Sequence, residues 1–185
     1  LCGDIKTTLE ALLPLLQAKS DKSFLNDQLL GYSKVIKDLN AYVENKGSDN
    51  KIHPEYVMAM VDETAQANAI FTVDTGMTCV WGARYLKASG QRKMLGSFNH
   101  GTMANAMPQA IGASFAYPGR QVIALCGDGG ISMLLGDLAT IAQYKLPVKI
   151  IVFNNRSLGM VKLEMEVAGL PDNETECTGF EFHNN

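Results

Sequence analysis

Two oxygen-bearing side chains, each placed directly after a run of apolar residues, are the groups in this sequence best suited to hold a metal ion. Asp128 follows the run VIALC and stands among glycines, and Asn155 ends the run VKIIVFNN. An apolar run bounded by glycine or asparagine is typical of a buried strand. Mg²⁺ prefers hard ligands such as carboxylate and amide oxygens. The two residues therefore predict a Mg²⁺ site shared by two strand ends.

The glycines around Asp128 indicate what the metal would accompany. Gly127, Gly129 and Gly130 lack Cβ atoms, so their N–H groups can approach an anion, and the helix that follows presents its positive end to the same place. A diphosphate fits that description, and a divalent cation would offset its repulsion by Asp128. The sequence has no G-K-[ST] phosphate loop, and Ser132 stands where a dinucleotide fingerprint would place its third glycine.

The elements that must position these residues alternate between strands and helices. Continuously apolar strands that alternate with helices predict an α/β fold, a parallel sheet flanked by helices. The predicted strands are AIFTVDTG, residues 94–96, 121–126 and VKIIVFNN, and the predicted helices begin at Pro54 and cover residues 104–117 and 133–144.

The first fifty residues predict a different organisation. Asp4 is a candidate N-cap for a helix that Pro14 interrupts, and apolar residues recur at helical spacing from Phe24 to Val43. The polar segment NKGSDNK is the best candidate boundary. We expect residues 1–20 to end a preceding domain, residues 21–50 to form a helical linker, and residues 51–185 to form the strand-containing domain.

Composition excludes several classes of function. The formal net charge of −3 and the scattered lysines and arginines argue against a nucleic-acid partner. The four cysteines form no C-x-x-C pair, which argues against a zinc site or a redox dithiol. A reducing cytoplasm is the simplest compartment for such a chain. A first residue of Leu1 and the ending EFHNN suggest a fragment.

The spacing of the motifs resembles a known family. The letters GDG, then 24 residues, then NN resemble the thiamine diphosphate (ThDP) signature of the pyruvate oxidase and acetohydroxyacid synthase superfamily. The segments GDIKTTLEALLPLL, ARYLKASGQRKMLGSFNHGTMANAMPQAIGA and CGDGGISMLLGDLATIAQYKLPVKIIVFNN are similar to the ubiquinone-dependent pyruvate dehydrogenases, or pyruvate oxidases. The resemblance implies an incomplete ThDP diphosphate-binding domain that follows the end of a central FAD-binding domain and a linker.

The resemblance also implies roles for individual residues. Asp128 and Asn155 would ligate Mg²⁺ through side chains and Ser157 through its backbone carbonyl, while Gly129 and Gly130 would offer N–H groups to the diphosphate. Met103 would support ThDP in its bent conformation. The other residues implied to contact the cofactor are Gly101, Thr102, Arg156, Leu158, Gly159, Met160 and Val161.

For the whole enzyme, the resemblance implies oxidation of pyruvate to acetate and CO₂, with FAD passing electrons to a quinone. It implies a homo-oligomer with the site at a subunit interface, a glutamate supplied by the partner's first domain, and no catalytic residue in this chain. It further implies a cytoplasmic enzyme that associates with the inner face of the membrane through a C-terminal segment not present in these 185 residues.

Alternatives remain open both for the activity of the whole protein and for the roles of single residues. The letters LGMV place Met160 where pyruvate oxidases carry an aromatic residue, and they are typical of acetohydroxyacid synthases, so a carboligase is one alternative and a noncatalytic binding or assembly fragment is another. Asp128 alone could be a helix cap, and Asn154 is expected to form a turn. His100 is expected to be structural or solvated rather than catalytic.

Overall fold

The computed structural model describes residues 3–44 and 51–177. The chain divides into two compact units, Leu1–Ala41 and Tyr42–Asn185. The predicted boundary segment falls almost entirely on residues 45–50, outside the described residues, so the proposed domain limits stay predictions. No helix in the two described ranges is long and apolar enough to cross a bilayer.

The first unit is helical. Helix α1, Ile5–Leu12, begins after Asp4, whose Oδ1 accepts a hydrogen bond from the Thr7 N–H at 2.9 Å and so caps the helix. The helix ends before Pro14, which lies in the 3-10 turn Leu13–Leu15, because proline has no N–H to continue the ladder. Helix α2 spans Ser23–Glu44, and neither helix buries a residue. The predicted cap, the interruption at Pro14 and the long second helix are confirmed.

The second unit contains four parallel strands in the order β2-β1-β3-β4. Helices flank them, which confirms the predicted α/β class. The strands are β1 Ile70–Val73, β2 Lys93–Gly96, β3 Val122–Gly127 and β4 Val148–Phe153.

Both faces of the sheet are covered, which explains why the central strands are apolar at every position. In β3, Val122, Ala124 and Cys126 belong to a core cluster that includes alanines of helix α5, Ala106–Ala116. Ile123 and Leu125 belong to the opposite cluster, which Met58 and Val61 of helix α3, Pro54–Thr64, help to form. Side chains alternate across a strand, so a strand buried on both faces needs apolar residues throughout.

The helix predicted over residues 133–144 is wrong in its limits. A helix begins earlier, at Asp128, and ends at Met133; the 3-10 turn Leu135–Asp137 follows. Leu134, at φ −129° and ψ 33°, leaves helical geometry and separates the two helices. The remaining helices are α4 Met77–Tyr85, α6 Asp128–Met133, α7 Leu138–Gln143 and α8 Gly159–Val167.

The carboxyl ends of the four parallel strands form one edge of the sheet. The chain passes from β1 to β2 on one side of β1 and from β3 to β4 on the other side, so the order reverses between β1 and β3. Open parallel sheets bind ligands beyond the carboxyl ends of their strands at such a reversal. Asp74 directly follows β1, and Asp128 directly follows β3.

Candidate functional site

The sheet register brings the two predicted metal-binding segments to one edge. Gly127 of β3 and Phe153 of β4 are paired residues of adjacent parallel strands. Asp128 comes one residue after the first of this pair, and Asn155 two residues after the second. The two segments thus leave the sheet side by side, as their sequence positions predict. Their roles as metal ligands stay predictions.

Asp128 is a buried carboxylate with one unsatisfied oxygen. It is 4% exposed and is the first residue of α6. Its Oδ1 accepts a hydrogen bond from the Gly129 N–H at 2.9 Å, but its Oδ2 has no hydrogen-bond partner among the described residues. A buried polar atom without a partner calls for an explanation, and a bound cation is one. The geometry therefore combines the helix-terminal role with an oxygen that fits Mg²⁺.

The loop after β4 is shaped by two asparagine turns. Asn154 Oδ1 accepts from the Arg156 N–H at 3.0 Å, and Asn155 Oδ1 accepts from the Ser157 N–H at 3.1 Å. Both asparagines are thus turn formers, and a carbonyl oxygen with two lone pairs can bind a cation as well. Ser157 Oγ is also buried and lacks a hydrogen-bond partner among the described residues.

A Cβ atom at two of the three glycines of this edge would lie very close to neighbouring residues. A Cβ on Gly129 would lie 2.5 Å from Leu158 Cδ2, and one on Gly130 would lie 3.0 Å from Asp74 Cγ and 3.3 Å from the Ala104 nitrogen. A Cβ on Gly127 would meet nothing within 4 Å. The close packing at residue 130 requires glycine there, and the two glycines leave a bare backbone at the start of α6, which fits a diphosphate.

The predicted cofactor-supporting residues come from separate parts of the chain. Met103 Cε lies 3.5 Å from the position of a Cβ on Gly129, which brings Met103 and Leu158 together around that residue. Gly101 has φ 62°, and its N–H donates to the Ser97 carbonyl at 2.8 Å. Thr102 and Arg156 are exposed. The first turn of α8 contains Gly159, Met160 and Val161.

Next to the Gly101 loop, a cleft of about 480 Å³ opens between β2 and α5. Asn105 Oδ1 and Gln109 Oε1, both without hydrogen-bond partners among the described residues, belong to side chains that line it. His100 also lines the cleft and is exposed, in keeping with the expectation that it is solvated.

A short segment that the sequence did not single out supports the loop after β4. Residues 175–177 pair with residues 156–158: the Leu158 N–H donates to the Thr175 carbonyl at 2.7 Å, and the Cys177 N–H donates to the Arg156 carbonyl at 2.9 Å. Lys162 Nζ lies 2.8 Å from Asp172 Oδ2, and this hydrogen bond lowers the pKa of Asp172. We call residues 172–177 the strap.

The strap also brings a thiol to the edge. Cys177 Sγ lies 3.7 Å from the position of a Cβ on Gly129. Burial and the nearby charge of Asp128 raise the pKa of this thiol.

Within residues 3–44 and 51–177, no three His, Cys, Asp or Glu side chains form a metal-binding cluster. A cation at Asp128 would accordingly need amide, carbonyl and phosphate oxygens as further ligands.

Asp74 is a second buried carboxylate at the edge, and sequence reasoning missed its importance. It is 1% exposed, and its Oδ1 accepts from the Ala106 N–H at 2.9 Å. Asn105, the N-cap residue of α5, makes no side-chain cap bond, so Asp74 caps this helix from 32 residues away. Burial raises the pKa of Asp74, and the N–H groups of Ala106, Gly127 and Asn105 oppose that shift. The only signal was an acid at a strand end.

Comparison with known proteins bears on this geometry. The family model described as thiamine pyrophosphate enzyme, C-terminal TPP binding domain, matches residues 74–184. The putative thiamine pyrophosphate-containing protein YdaP of Bacillus subtilis is 34% identical over 178 residues, which cover 94% of this chain and 30% of that protein. Acetolactate synthase 1, chloroplastic, of Nicotiana tabacum is 37% identical over 165 residues, which cover 87% of this chain and 24% of that protein.

A third relative, the acetolactate synthase large subunit of Pyropia yezoensis, is 44% identical over 111 residues, which cover 60% of this chain and 18% of that protein. The chain thus spans less than a third of the length of these relatives. The matched region begins at Asp74, directly after β1, and includes both Asp128 and Asn155. Because it covers more than half of the sequence, the chain belongs to the C-terminal TPP-binding domain family of the thiamine pyrophosphate enzymes.

Proposed function

We propose that this chain supplies the diphosphate-binding part of a ThDP- and Mg²⁺-dependent pyruvate oxidase that reduces a quinone. The observation that carries the cofactor assignment is the buried Oδ2 of Asp128, which has no partner among the described residues and lies next to the tightly packed turn of Gly129 and Gly130. Its place beside the strand-order reversal supports the same assignment.

In this proposal each residue has a limited task. Asp128 and Asn155 hold Mg²⁺ through their side chains and Ser157 through its carbonyl. Gly129 and Gly130 donate backbone N–H groups to the diphosphate, and Met103 packs beneath the cofactor between that turn and the Gly101 loop. When bound, ThDP supplies the electron sink that a 2-oxo acid needs in order to lose CO₂. The chain's own contribution is binding and orientation.

The oxidase assignment concerns the protein that would contain this domain. The reaction converts pyruvate and water to acetate and CO₂, and the two electrons and two protons released pass through FAD to a quinone. The support is the SFNHGTMANAMPQA block and the extended resemblance to pyruvate oxidases. We propose further a homo-oligomer whose partner subunit completes the site, in the cytoplasm at the inner face of the membrane.

Acetolactate synthesis is a second candidate with its own support. Two of the three relatives described above are acetolactate synthases, and this chain has Met160 in the letters LGMV. In that reaction, two molecules of pyruvate yield acetolactate and CO₂ with no net oxidation. The two candidates share the cofactor site and the loss of CO₂, and they differ in the later steps of the reaction.

The product balance of the longest reading frame that encodes this chain distinguishes the candidates. With pyruvate, ThDP, Mg²⁺ and FAD, we expect reduction of a soluble ubiquinone analogue, with one acetate and one CO₂ per quinol. Acetolactate without quinol would overturn the oxidase assignment in favour of the synthase. Absence of both products, together with no calorimetric signal for ThDP and Mg²⁺, would favour the noncatalytic alternative.

A further inference from the structure

Asp74 places a second buried carboxyl group beside the glycine turn at the start of α6. Its backbone N–H donates to the Leu125 carbonyl, which fixes it next to the end of β3, and its carbonyl accepts from the Thr78 hydroxyl at 2.9 Å. Asp74 is 1% exposed, so its carboxyl group has almost no contact with solvent.

The carboxylate group packs directly against the turn. The position of a Cβ on Gly130 lies 3.0 Å from Asp74 Cγ, and Asp74 Oδ2 has no hydrogen-bond partner among the described residues. No lysine or arginine in the described part of the chain forms an ion pair with Asp74. The backbone N–H groups of Ala106, Gly127 and Asn105 favour its ionised form.

Two buried acids thus flank one anion-binding turn. Asp74 lies on one side of Gly130, and Asp128 immediately precedes Gly129. Each has an Oδ2 without a partner among the described residues. Charges in a buried environment interact more strongly than in water, so both carboxylates oppose a bare diphosphate. Asp128 can be neutralised by direct contact with a cation, whereas Asp74 already uses Oδ1 to cap α5.

We propose that Asp74 is a specificity-determining residue that makes this turn select a diphosphate complexed with a divalent cation over the free diphosphate. The inference rests on the proposed function, since it assumes that the turn binds the diphosphate of ThDP. Asp74 acts at a distance: it repels the free diphosphate strongly and the magnesium complex, which carries two fewer negative charges, less strongly. Mg²⁺ would therefore have two effects: it would connect Asp128 to the diphosphate, and it would reduce the repulsion between the diphosphate and Asp74.

A purely structural role makes a different prediction. Asp74→Asn keeps an oxygen that can accept from the Ala106 N–H, so the cap can persist while the charge is lost. If Asp74 only caps α5, the substitution should alter stability and leave the dependence of binding on Mg²⁺ unchanged. If its charge selects the magnesium complex, the metal-free affinity should rise specifically.

The test is calorimetric titration of the 185-residue chain with inorganic pyrophosphate, which needs only this part of the site, in EDTA and in saturating Mg²⁺. The measured quantity is the dissociation constant in EDTA divided by the dissociation constant in Mg²⁺. We expect Asp74→Asn to lower the ratio by about tenfold through tighter binding in EDTA. Asp62→Asn is the matched control: Asp62 is also buried but pairs with Arg92 at 2.6 Å, and it should leave the ratio unchanged.

Each outcome decides between the claims. An unchanged ratio in a folded Asp74→Asn chain would overturn this inference and leave the proposed function intact. A wild-type chain that binds pyrophosphate neither with nor without Mg²⁺ would overturn the proposed function and the inference with it. Asp74→Thr, which is neutral and keeps a hydroxyl acceptor, serves if the asparagine variant does not fold; failure of both to fold would show that Asp74 serves the fold and overturn the proposal.

Discussion

Asp128 is a buried residue whose carboxyl group is only partly hydrogen-bonded, and the proposed Mg²⁺ would contact the remaining oxygen. Its buried Oδ2 has no hydrogen-bond partner among the described residues, and burying an uncompensated charge is costly. We expect Asp128→Asn, which preserves shape, to raise the thermal midpoint of the metal-free chain by a few degrees. The same change should weaken Mg²⁺-dependent pyrophosphate binding by at least ~100-fold, because the cation loses its charged protein ligand.

Differential scanning fluorimetry in EDTA and calorimetry in Mg²⁺ measure the two effects. Asp137→Asn, in the nearby 3-10 turn, is the control and should change neither quantity appreciably. A lower thermal midpoint together with normal Mg²⁺ dependence would show that Asp128 is a helix-terminal residue alone.

The two tightly packed glycines should differ in their tolerance of alanine. At Gly130 the added methyl group would meet a carboxyl and the Ala104 nitrogen, whereas at Gly129 it would meet the flexible end of Leu158. We expect Gly130→Ala to reduce the free energy of unfolding by about 2–3 kcal/mol and Gly129→Ala by about 1 kcal/mol. Urea denaturation measures both, with Gly136→Ala as a control because its Cβ would meet nothing within 4 Å. A larger loss at Gly129 would contradict this account.

The sequence predicted the position of Asp128 and Asn155 because consecutive parallel strands end at one edge, and apolar runs mark where strands end. Asp74 lies near the end of the predicted strand AIFTVDTG, and that position alone assigns it no role. Its role as the cap of α5 depends on a contact between residues 74 and 106, and no local pattern encodes such a contact. Cys177 was missed for the same reason, since the strap brings it to Gly129 through pairing with residues 156–158.

At the scale of elements, contacts between residues distant in sequence also explain why the helix predicted over residues 133–144 has the wrong limits. Glycine has a low helix propensity, so the letters GDGG predict a loop, yet α6 begins at Asp128. Gly130 packs against Asp74, a residue distant in sequence, and tertiary contacts of this kind override local propensity. The strands and α3, whose apolar pattern and proline start agree with their environment, were predicted correctly.

The strap should hold the loop after β4 through the Lys162–Asp172 ion pair. We expect Asp172→Asn to accelerate hydrogen exchange at the Leu158 and Cys177 amides, which pair strap and loop, with little change in global stability because the ion pair is accessible to solvent. Glu166→Gln, which removes a charge from α8 but keeps the ion pair, should leave exchange unchanged. Unaltered protection in Asp172→Asn would show that backbone pairing alone holds the strap.

The lowered pKa of Asp172 determines how the closure of the strap depends on pH. A carboxyl whose pKa is lower in the folded than in the unfolded state contributes stability above its unfolded pKa and loses it as the pH falls through the folded value. The strap should therefore stay closed from neutral pH down to the usual carboxyl range and open only below it.

At the scale of the whole chain, the two units differ in how their residues are buried. Neither α1 nor α2 buries a residue, whereas all buried hydrophobic residues of the described chain belong to the unit with the sheet. The periodic apolar residues of α2 identified a helix correctly, but periodicity alone does not say what covers a face. Local stability follows buried contacts, so the helices of the first unit should open more readily than the sheet.

Limited digestion with thermolysin tests this difference. We expect the first cuts at exposed leucines of α1 and α2, such as Leu9 and Leu29, and a resistant product that contains the sheet. Magnesium pyrophosphate at 100 times its dissociation constant should slow cleavage of the sheet unit by about 100-fold, because ligand binding lowers the population of the unfolded state in proportion. Cleavage in α1 should continue at its original rate, since the residues of the proposed site all belong to the second unit. Equal protection of both units would mean that they unfold together, and cleavage of the sheet unit first would contradict the assignment of the stable core to β1, β3 and their flanking helices.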